Sequence, residues 1–257
     1  MCIHPTAIVN PKAKIADRVE IGPFSIIEDE VEIAAGVKIG SHVWIRSGTS
    51  IDTGTSIHKG AIIGHEPQDL AFKGKPSFVK IGKNNIIREY TTIHRGTEEG
   101  SSTVIGDSNF FMAFSHVGHN CHLGNEVILV NGVLLGGYVT VEDRAFISGH
   151  SVVHQFVRIG KVVMVGGLAR VTRDIPPYML VKGDSLIHSM NIVGMRRAGL
   201  SEEVRTEIKK AYKILYRMNL NVSQALERME KELKPLEEIR YLMDFIRNSK
   251  RGICSHV

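Results

Sequence analysis

Three histidines, His116, His119 and His122, occur three residues apart near the middle of the chain. A neutral imidazole accepts a proton readily near pH 7, so any of the three is a candidate general base. Three imidazoles are also a common ligand set for a zinc ion. The spacing leaves both kinds of chemistry open until the elements that hold these side chains are considered.

A repeat of six residues runs through the first two thirds of the chain. From residue 3 to residue 171, 26 of the 29 positions spaced by six are apolar, mostly Ile, Val and Leu. The exceptions fall in segments 64–78 and 94–103, which are rich in Gly, Pro, Lys and Ser. Such composition is typical of loops, so both segments are expected to leave the repeat.

The period of six excludes an α-helix, because six residues turn about 600° around a helix axis and the apolar positions would face all directions. A coil of three short strands explains the period if each strand points one branched side chain inward and a small or glycine-tolerant corner follows. Successive coils then stack about 4.8 Å apart. We therefore expect a mainly β fold in which residues 1–190 form a parallel β-helix of hexapeptide repeats.

The last quarter of the chain has a different pattern. Two consecutive prolines within residues 174–178 remove ladder donors and are expected to end the repeat. Ser201 can then cap a helix whose apolar stripe runs from Val204 to Met218. Residues 191–257 are expected to form a small C-terminal α-helical domain that covers the open end of the β-helix.

One coil has eighteen residues, so residues eighteen apart lie above one another between positions 105 and 171. His119 is then stacked with Gly137 and Gln155, and the neighbouring column contains His154. A histidine beside an accessible glycine N–H is suited to acyl transfer, because the imidazole takes a proton while the N–H stabilises an oxyanion. The same phase places His116 and His122 on different faces, which argues against a metal site within one chain.

Composition limits the possible partners and compartments. The 257 residues carry a net charge of +5 and one Trp, which is too little charge and stacking surface to indicate nucleic-acid binding. Cys2, Cys121 and Cys254 are odd in number and widely spaced, as suits a reducing cytoplasm. The N-terminus shows no export signal, and no segment is apolar enough for membrane insertion. We expect a cytoplasmic protein.

Several segments together resemble the UDP-N-acetylglucosamine O-acyltransferase family, which begins lipid A synthesis, and the match extends almost end to end. The segments are residues 68–70, 92–96, 115–121, 153–156, 164–167, 174–178 and 191–197. The resemblance implies a left-handed β-helix and a homotrimer with sites between subunits. It also implies transfer of a 3-hydroxyacyl chain from acyl carrier protein to the 3-position of the UDP-sugar substrate.

The same resemblance implies a role for each matching residue. His119 would be the general base, the Gly137 N–H would hold the oxyanion, and Gly167 would leave room for a long acyl chain. The residues implied in substrate binding are Gln68, Asp69, His94, His116, Asn120, His154 and Gln155, with Asn191 and Arg197 near the uridine and phosphates. No metal or cofactor is implied, because the phosphopantetheine arrives on the acyl carrier protein.

Four positions depart from the family pattern. Asn120 replaces a common Asp, Tyr138 a common His, Ala198 a common Arg, and Ala71 a common Lys. The change at position 120 removes a charged partner for the histidine, and the change at position 71 removes a cation near the sugar and phosphates. Since an amine needs less base assistance than a hydroxyl, N-acylation of a 3-amino sugar nucleotide is an alternative.

Three further alternatives remain. A metal-dependent hydrase on the same β-helix would use histidines brought together by a symmetric trimer. A non-catalytic scaffold would show one outward residue repeated in every coil, and the Thr residues do not repeat in this way. A related acyltransferase that uses coenzyme A or another sugar would not be expected to share segment 191–197.

Overall fold

The computed structural model describes residues 2–256, in which many short strands precede four helices. The strands are β1 (Cys2–Ile3), β2 (Ile8–Val9), β3 (Lys14–Ile15), β4 (Glu20–Ile21), β5 (Ile26–Ile27), β6 (Glu32–Ile33), β7 (Lys38–Ile39), β8 (Trp44–Ile45), β9 (Thr49–Ile51), β10 (Ser56–Ile57), β11 (Ile62–His65), β12 (Phe78–Ile81), β13 (Ile86–Ile87), β14 (Thr92–His94), β15 (Ser102–Ile105), β16 (Phe110–Phe111), β17 (His116–Val117), β18 (His122–Leu123), β19 (Ile128–Leu129), β20 (Leu134–Leu135), β21 (Thr140–Val141), β22 (Phe146–Ile147), β23 (Val152–Val153), β24 (Arg158–Ile159), β25 (Met164–Val165), β26 (Arg170–Val171), β27 (Met179–Lys182), β28 (Leu186–Met190) and β29 (Ser255–His256). The helices are α1 (Ile192–Arg197), α2 (Glu202–Arg217), α3 (Val222–Glu232) and α4 (Glu237–Arg247).

Strands β1 to β26 wind into a parallel β-helix with three faces. Every third strand joins the same sheet, so β1 begins the first sheet, β2 the second and β3 the third. From β4 to β26 the second residue of every two-residue strand is buried, as in β5, where Ile27 is 1% exposed and Ile26 is 37% exposed. The six-residue period is therefore the spacing of the buried ladder.

The register changes at the two expected loops. Ile63 of β11 pairs with Ile93 of β14, thirty residues later, because segment 64–78 leaves the coil. Ile93 then pairs with Val117, twenty-four residues later, because segment 94–103 leaves the next coil. From there the step is eighteen residues, as in the pair Val117 and Leu135. Both loops emerge beside the coil that carries His119.

The corners differ from the expected small or glycine-tolerant positions. One residue at many corners has a positive φ, and bulky side chains occupy several of these sites, including Phe24, Tyr138 and Phe156. A left-handed conformation costs a non-glycine residue about 1–2 kcal/mol. Tyr138 and Phe156 stack at a centroid distance of 4.8 Å, which offsets part of that cost.

The β-structure continues past the two prolines. The six-residue phase ends there, yet β27 still pairs in parallel with β25 and then forms an antiparallel hairpin with β28. The hairpin does not share the hexapeptide period, so the repeat contains no signal for it. None of the helices within residues 2–256 is long and apolar enough to cross a membrane.

The helices pack on the end of the β-helix. The Ser201 hydroxyl caps α2 by accepting from Val204 N–H at 3.2 Å, as expected, although Met218 is 38% exposed and lies outside the apolar stripe. Asp174 is 1% exposed and joins the two parts, because its carboxylate accepts from Arg158 N–H at 2.9 Å and from the Ser249 hydroxyl at 2.8 Å. This anchor ties the segment that follows α4 to the strands.

Candidate active site

An open groove of about 610 Å³ runs along the second sheet beside β17, β20 and β23. Outward side chains of these strands, the following corners and the first loop form its walls. The predicted site residues that line the groove are Gln68, Asp69, His94, His116, His119, Gly137, His154 and Gln155. The structure therefore brings together residues that are up to 87 positions apart in the chain.

His119 lies in the corner between β17 and β18 and is only 8% exposed. Its Nδ1 atom is 2.7 Å from Thr97 Oγ1 and 3.0 Å from Asn120 Oδ1. Its Nε2 atom is 3.5 Å from Asp69 Oδ2. One ring nitrogen thus has two protein partners, and the other faces a carboxylate at the groove.

Gly137 packs directly against this ring. A Cβ atom at residue 137 would lie 2.4 Å from His119 Nε2 and Cε1, which is closer than any real Cβ contact. Gly137 is buried, lines the groove, and its N–H donates to no acceptor within residues 2–256. A base and an N–H without a protein acceptor thus lie next to each other, as expected.

Two further histidines in the groove lie close to each other, His94 buried and His116 half-buried. His116 Nδ1 is 2.7 Å from Thr92 Oγ1, and its ring meets that of His94 edge-on at 4.8 Å. Burial, together with the neighbouring histidines, lowers the pKa of His94 to about 4. Burial and His119 also lower the pKa of His116. Both rings are therefore neutral near pH 7 and can serve as hydrogen-bond partners.

His154 stands at the far wall of the groove and is tied to the C-terminal part of the chain. Its Nδ1 atom lies 3.3 Å from a guanidinium nitrogen of Arg251, which also donates to Thr172 O at 3.1 Å. The same Nδ1 atom lies 3.1 Å from the carbonyl oxygen of Gln155, which can only accept, so these two neighbours favour opposite protonation of this nitrogen.

Within residues 2–256, no cluster of three or more His, Cys, Asp or Glu side chains is arranged to hold a metal ion. His116 belongs to the second sheet and His122 to the third, so these two histidines lie on different faces, as expected.

Two residues that sequence analysis missed complete the surroundings of His119. Thr97 and Glu98 come from the second loop, which also positions the Asn120 amide: Thr97 N–H donates to Asn120 Oδ1 at 2.9 Å. Glu98 accepts from the Tyr138 hydroxyl and from Asn120 Nδ2. A loop has no period, so the only available signal was its position next to the coil of His119.

The remaining predicted residues lie elsewhere in the chain. Asn191 and Arg197 line a second cavity of about 520 Å³ between the first sheet and α1. Asn191 also caps α1, accepting from Gly194 N–H at 2.9 Å and donating to Val162 O at 2.8 Å. Its amide therefore joins the start of α1 to the β-helix, a role that the sequence did not reveal.

The backbone around Gly167 leaves space for a side chain. A Cβ at Gly167 would meet nothing nearer than 3.6 Å, so no close backbone contact requires glycine there.

At the second cavity, Arg144 donates to Ala198 O at 3.3 Å and places a guanidinium near the position where the family commonly has an Arg. At the first loop, Asp69 Oδ1 accepts from Ala71 N–H at 2.8 Å.

Comparison with known families agrees with the fold. Residues 174–254 match the family model described as Udp N-acetylglucosamine O-acyltransferase, Domain 2. Residues 12–47 and 102–137 match Bacterial transferase hexapeptide (six repeats). The expected fold class, a left-handed parallel β-helix with a C-terminal helical part, is confirmed.

Individual relatives match over nearly the whole chain. An acyl-[acyl-carrier-protein]–UDP-N-acetylglucosamine O-acyltransferase from Thermodesulfovibrio yellowstonii is 47% identical over 98% of each chain. The crystal structure of a UDP-N-acetylglucosamine acyltransferase from Bacteroides fragilis is 42% identical, with a TM-score of 0.93 over 98% of this chain and 99% of that one. The Francisella novicida enzyme is 40% identical, with a TM-score of 0.93 over 98% and 94%. This chain belongs to the UDP-N-acetylglucosamine O-acyltransferase family.

Proposed function

We propose that this protein transfers a (3R)-3-hydroxyacyl chain from acyl carrier protein to the 3-hydroxyl of UDP-N-acetylglucosamine, the first step of lipid A synthesis. The observation that carries the proposal is the contact between His119 and Gly137, which puts a base beside an unused N–H. Similarity along almost the full length of named acyltransferases supports the same reaction.

The reaction follows from the two groups. His119 Nε2 removes the proton of the sugar hydroxyl while the oxygen attacks the thioester carbonyl. The Gly137 N–H stabilises the oxyanion of the tetrahedral intermediate. The intermediate then collapses, the C–S bond breaks, and the imidazolium returns its proton to the departing phosphopantetheine thiolate. No bound cofactor or metal is needed, because the thiol arrives on the donor.

The groove would hold the sugar. Gln68, Asp69 and Asn120 offer polar groups beside His119, and the neutral His94 and His116 line the same wall. At the second cavity, Asn191 and Arg197 would lie near the uridine and phosphates, where the guanidinium of Arg144 adds positive charge. Gly167 lies in the corner between the two faces that carry these cavities and would leave room for a long acyl chain.

The proposed assembly is a cytoplasmic homotrimer. Its support is the division of the predicted site residues between two faces of one chain, which a neighbouring subunit would reunite. The acidic acyl carrier protein would be attracted by the net charge of +5.

The 3-amino analogue of the sugar nucleotide is the second candidate acceptor. Ala71 offers no cation beside Asp69, and Asn120 offers no negative charge to His119, so assistance from the base is weaker than the family pattern provides. A more nucleophilic amine would tolerate this loss.

The test is transfer of radiolabelled 3-hydroxyacyl groups of several lengths from acyl carrier protein to each acceptor. We expect the hydroxyl acceptor and a long chain to give the highest kcat/KM. His119→Ala should lower kcat by at least about 100-fold, whereas His122→Ala, an exposed histidine of the third sheet, should not. Inactivity of the wild type with the hydroxyl acceptor, or equal activity of the His119 variant, would contradict the proposal.

A further inference from the structure

Glu98 contacts both residues near His119 that depart from the family pattern. Asn120 Nδ2 donates to Glu98 Oε2 at 3.2 Å, and the Tyr138 hydroxyl donates to Glu98 Oε1. The hydrogen bond from Tyr138 lowers the pKa of Glu98, while burial and Glu98 raise the pKa of Tyr138 to about 12. Near pH 7, therefore, Glu98 is a carboxylate that only accepts, and Tyr138 keeps its proton.

This carboxylate fixes the orientation of the Asn120 amide. Since Glu98 can only accept, the NH₂ group of Asn120 must face it. The amide oxygen then points the other way, where it accepts from Thr97 N–H at 2.9 Å and lies 3.0 Å from His119 Nδ1. An acceptor is thus presented to Nδ1.

The distances around the ring favour the same nitrogen. Thr97 Oγ1, which can also accept, lies 2.7 Å from His119 Nδ1, beside the Asn120 oxygen at 3.0 Å. The acceptor at Nε2, Asp69 Oδ2, is farther away at 3.5 Å. The two shorter contacts therefore favour a proton on Nδ1.

We propose that Glu98 is a positioning residue that holds His119 in the tautomer with Nδ1 protonated and Nε2 free. This inference rests on the proposed function, in which Nε2 is the base. The family commonly has a carboxylate at position 120, in contact with the histidine. Here Glu98 of the second loop provides the carboxylate, and Asn120 lies between it and His119.

The first test is Glu98→Gln. The glutamine amide can donate as well as accept, so it no longer forces the NH₂ group of Asn120 to face residue 98. We expect kcat to fall by about 10- to 100-fold, as is typical for partners that orient a functional histidine, with KM for the sugar nucleotide changed less than about twofold. Glu99→Gln is the matched control, because Glu99 is exposed and pairs with Lys75 at 3.5 Å. Full activity of Glu98→Gln would overturn the inference.

The second test separates orientation from loop stability. Asn120→Asp presents a carboxylate to Nδ1 that needs no orienting partner. In that background Glu98→Gln should cost no activity and should relieve repulsion between two neighbouring carboxylates. A residue that merely held the loop would cost the same factor in both backgrounds, and that result would contradict a positioning role.

The third test does not depend on turnover. Ring ¹⁵N shifts of labelled histidine distinguish protonated from unprotonated nitrogens, and the His119 signals are identified by their loss in His119→Gln. At pH 8 we expect Nδ1 protonated and Nε2 unprotonated in the wild type, with both tautomers populated in Glu98→Gln. A wild-type His119 protonated on Nε2 would refute the inference. If the wild type transfers no acyl group, the proposed function fails, and the ¹⁵N shifts still decide the tautomer.

Discussion

Gly137 packs so closely against His119 that its side-chain position cannot be filled without moving the imidazole. Gly137→Ala would place a Cβ 2.4 Å from Nε2, the atom proposed to take the proton. Misplacing a catalytic group by about 1 Å can reduce a rate on the order of 100-fold, so we expect kcat to fall by that factor while the fold persists. Steady-state kinetics and a thermal melt measure the two effects.

A matched control for that variant is Gly40→Ala. Its Cβ would approach Lys59 N at 3.0 Å, which a shift of a few tenths of an ångström relieves, and it lies in the N-terminal coils away from the groove. Equal losses of kcat in both variants would show that general strain, and not displacement of His119, lowers the rate.

His94 should make stability depend on pH. Its folded pKa of about 4 lies below the ordinary value of 6.5, so the unfolded chain binds the proton more readily. Stability from this residue is complete above pH 6.5 and is lost as pH falls toward 4. At pH 5 the loss is on the order of 2 kcal/mol.

The comparison that isolates this effect is wild type against His94→Gln. The melting temperature of the wild type should fall more steeply between pH 7 and pH 5 than that of the variant, because glutamine does not titrate. Parallel melting curves across this range would show that His94 is not held neutral by the fold.

Not all residues of the site were predictable from the sequence. Stacking at eighteen residues places Gly137 on His119, because the steps in an uninterrupted coil are constant. Thr97 and Glu98 lie on a loop, where no period relates them to Asn120. Asn191 was predicted from resemblance alone, and its task as a helix cap emerges only from the hydrogen bonds around α1.

At the scale of elements, the β-helix is the part that the sequence predicts best. Each strand contributes one inward residue, so a period of six is sufficient to locate all three sheets. The hairpin of β27 and β28 could not be found in this way, because Met179 and Met190 pair in the antiparallel sense through a local turn. The bulky corners were also unexpected, since stacking between neighbouring coils outweighs backbone preference.

Strand β5 allows the buried ladder to be tested within two residues. Ile27→Ala removes a side chain that is 1% exposed and stacked on Ile45, so we expect a loss of about 2–5 kcal/mol and a melting temperature lower by on the order of 5–15 °C. Ile26→Ala changes the outward neighbour, 37% exposed, and should cost much less. If both variants melt alike, inward and outward positions are not energetically distinct.

At the scale of the whole molecule, the predicted site residues are divided between two faces of the prism. The groove of His119 follows outward side chains of the second sheet, such as Leu134, whereas the cavity of Arg197 follows those of the first sheet, such as Phe146. Two faces of one rigid coil cannot turn toward each other. A threefold rotation can bring the first sheet of one subunit against the second sheet of the next and then closes into a ring.

This arrangement predicts that inactive subunits can complement each other. His119→Ala and Arg197→Ala should each have a low kcat/KM alone. When the two variants are coexpressed at equal levels, trimers assemble at random. About a quarter of their sites then combine an intact histidine of one subunit with an intact arginine of the next. Activity should rise to about that fraction of the wild type, and sedimentation should give about three times the chain mass of 28.5 kDa. Mixing the two variants after separate purification is the control, because each variant has then already assembled from one kind of chain. If coexpression gives no more activity than this mixture while trimers form, both side chains serve a site within one chain, and the shared site is wrong.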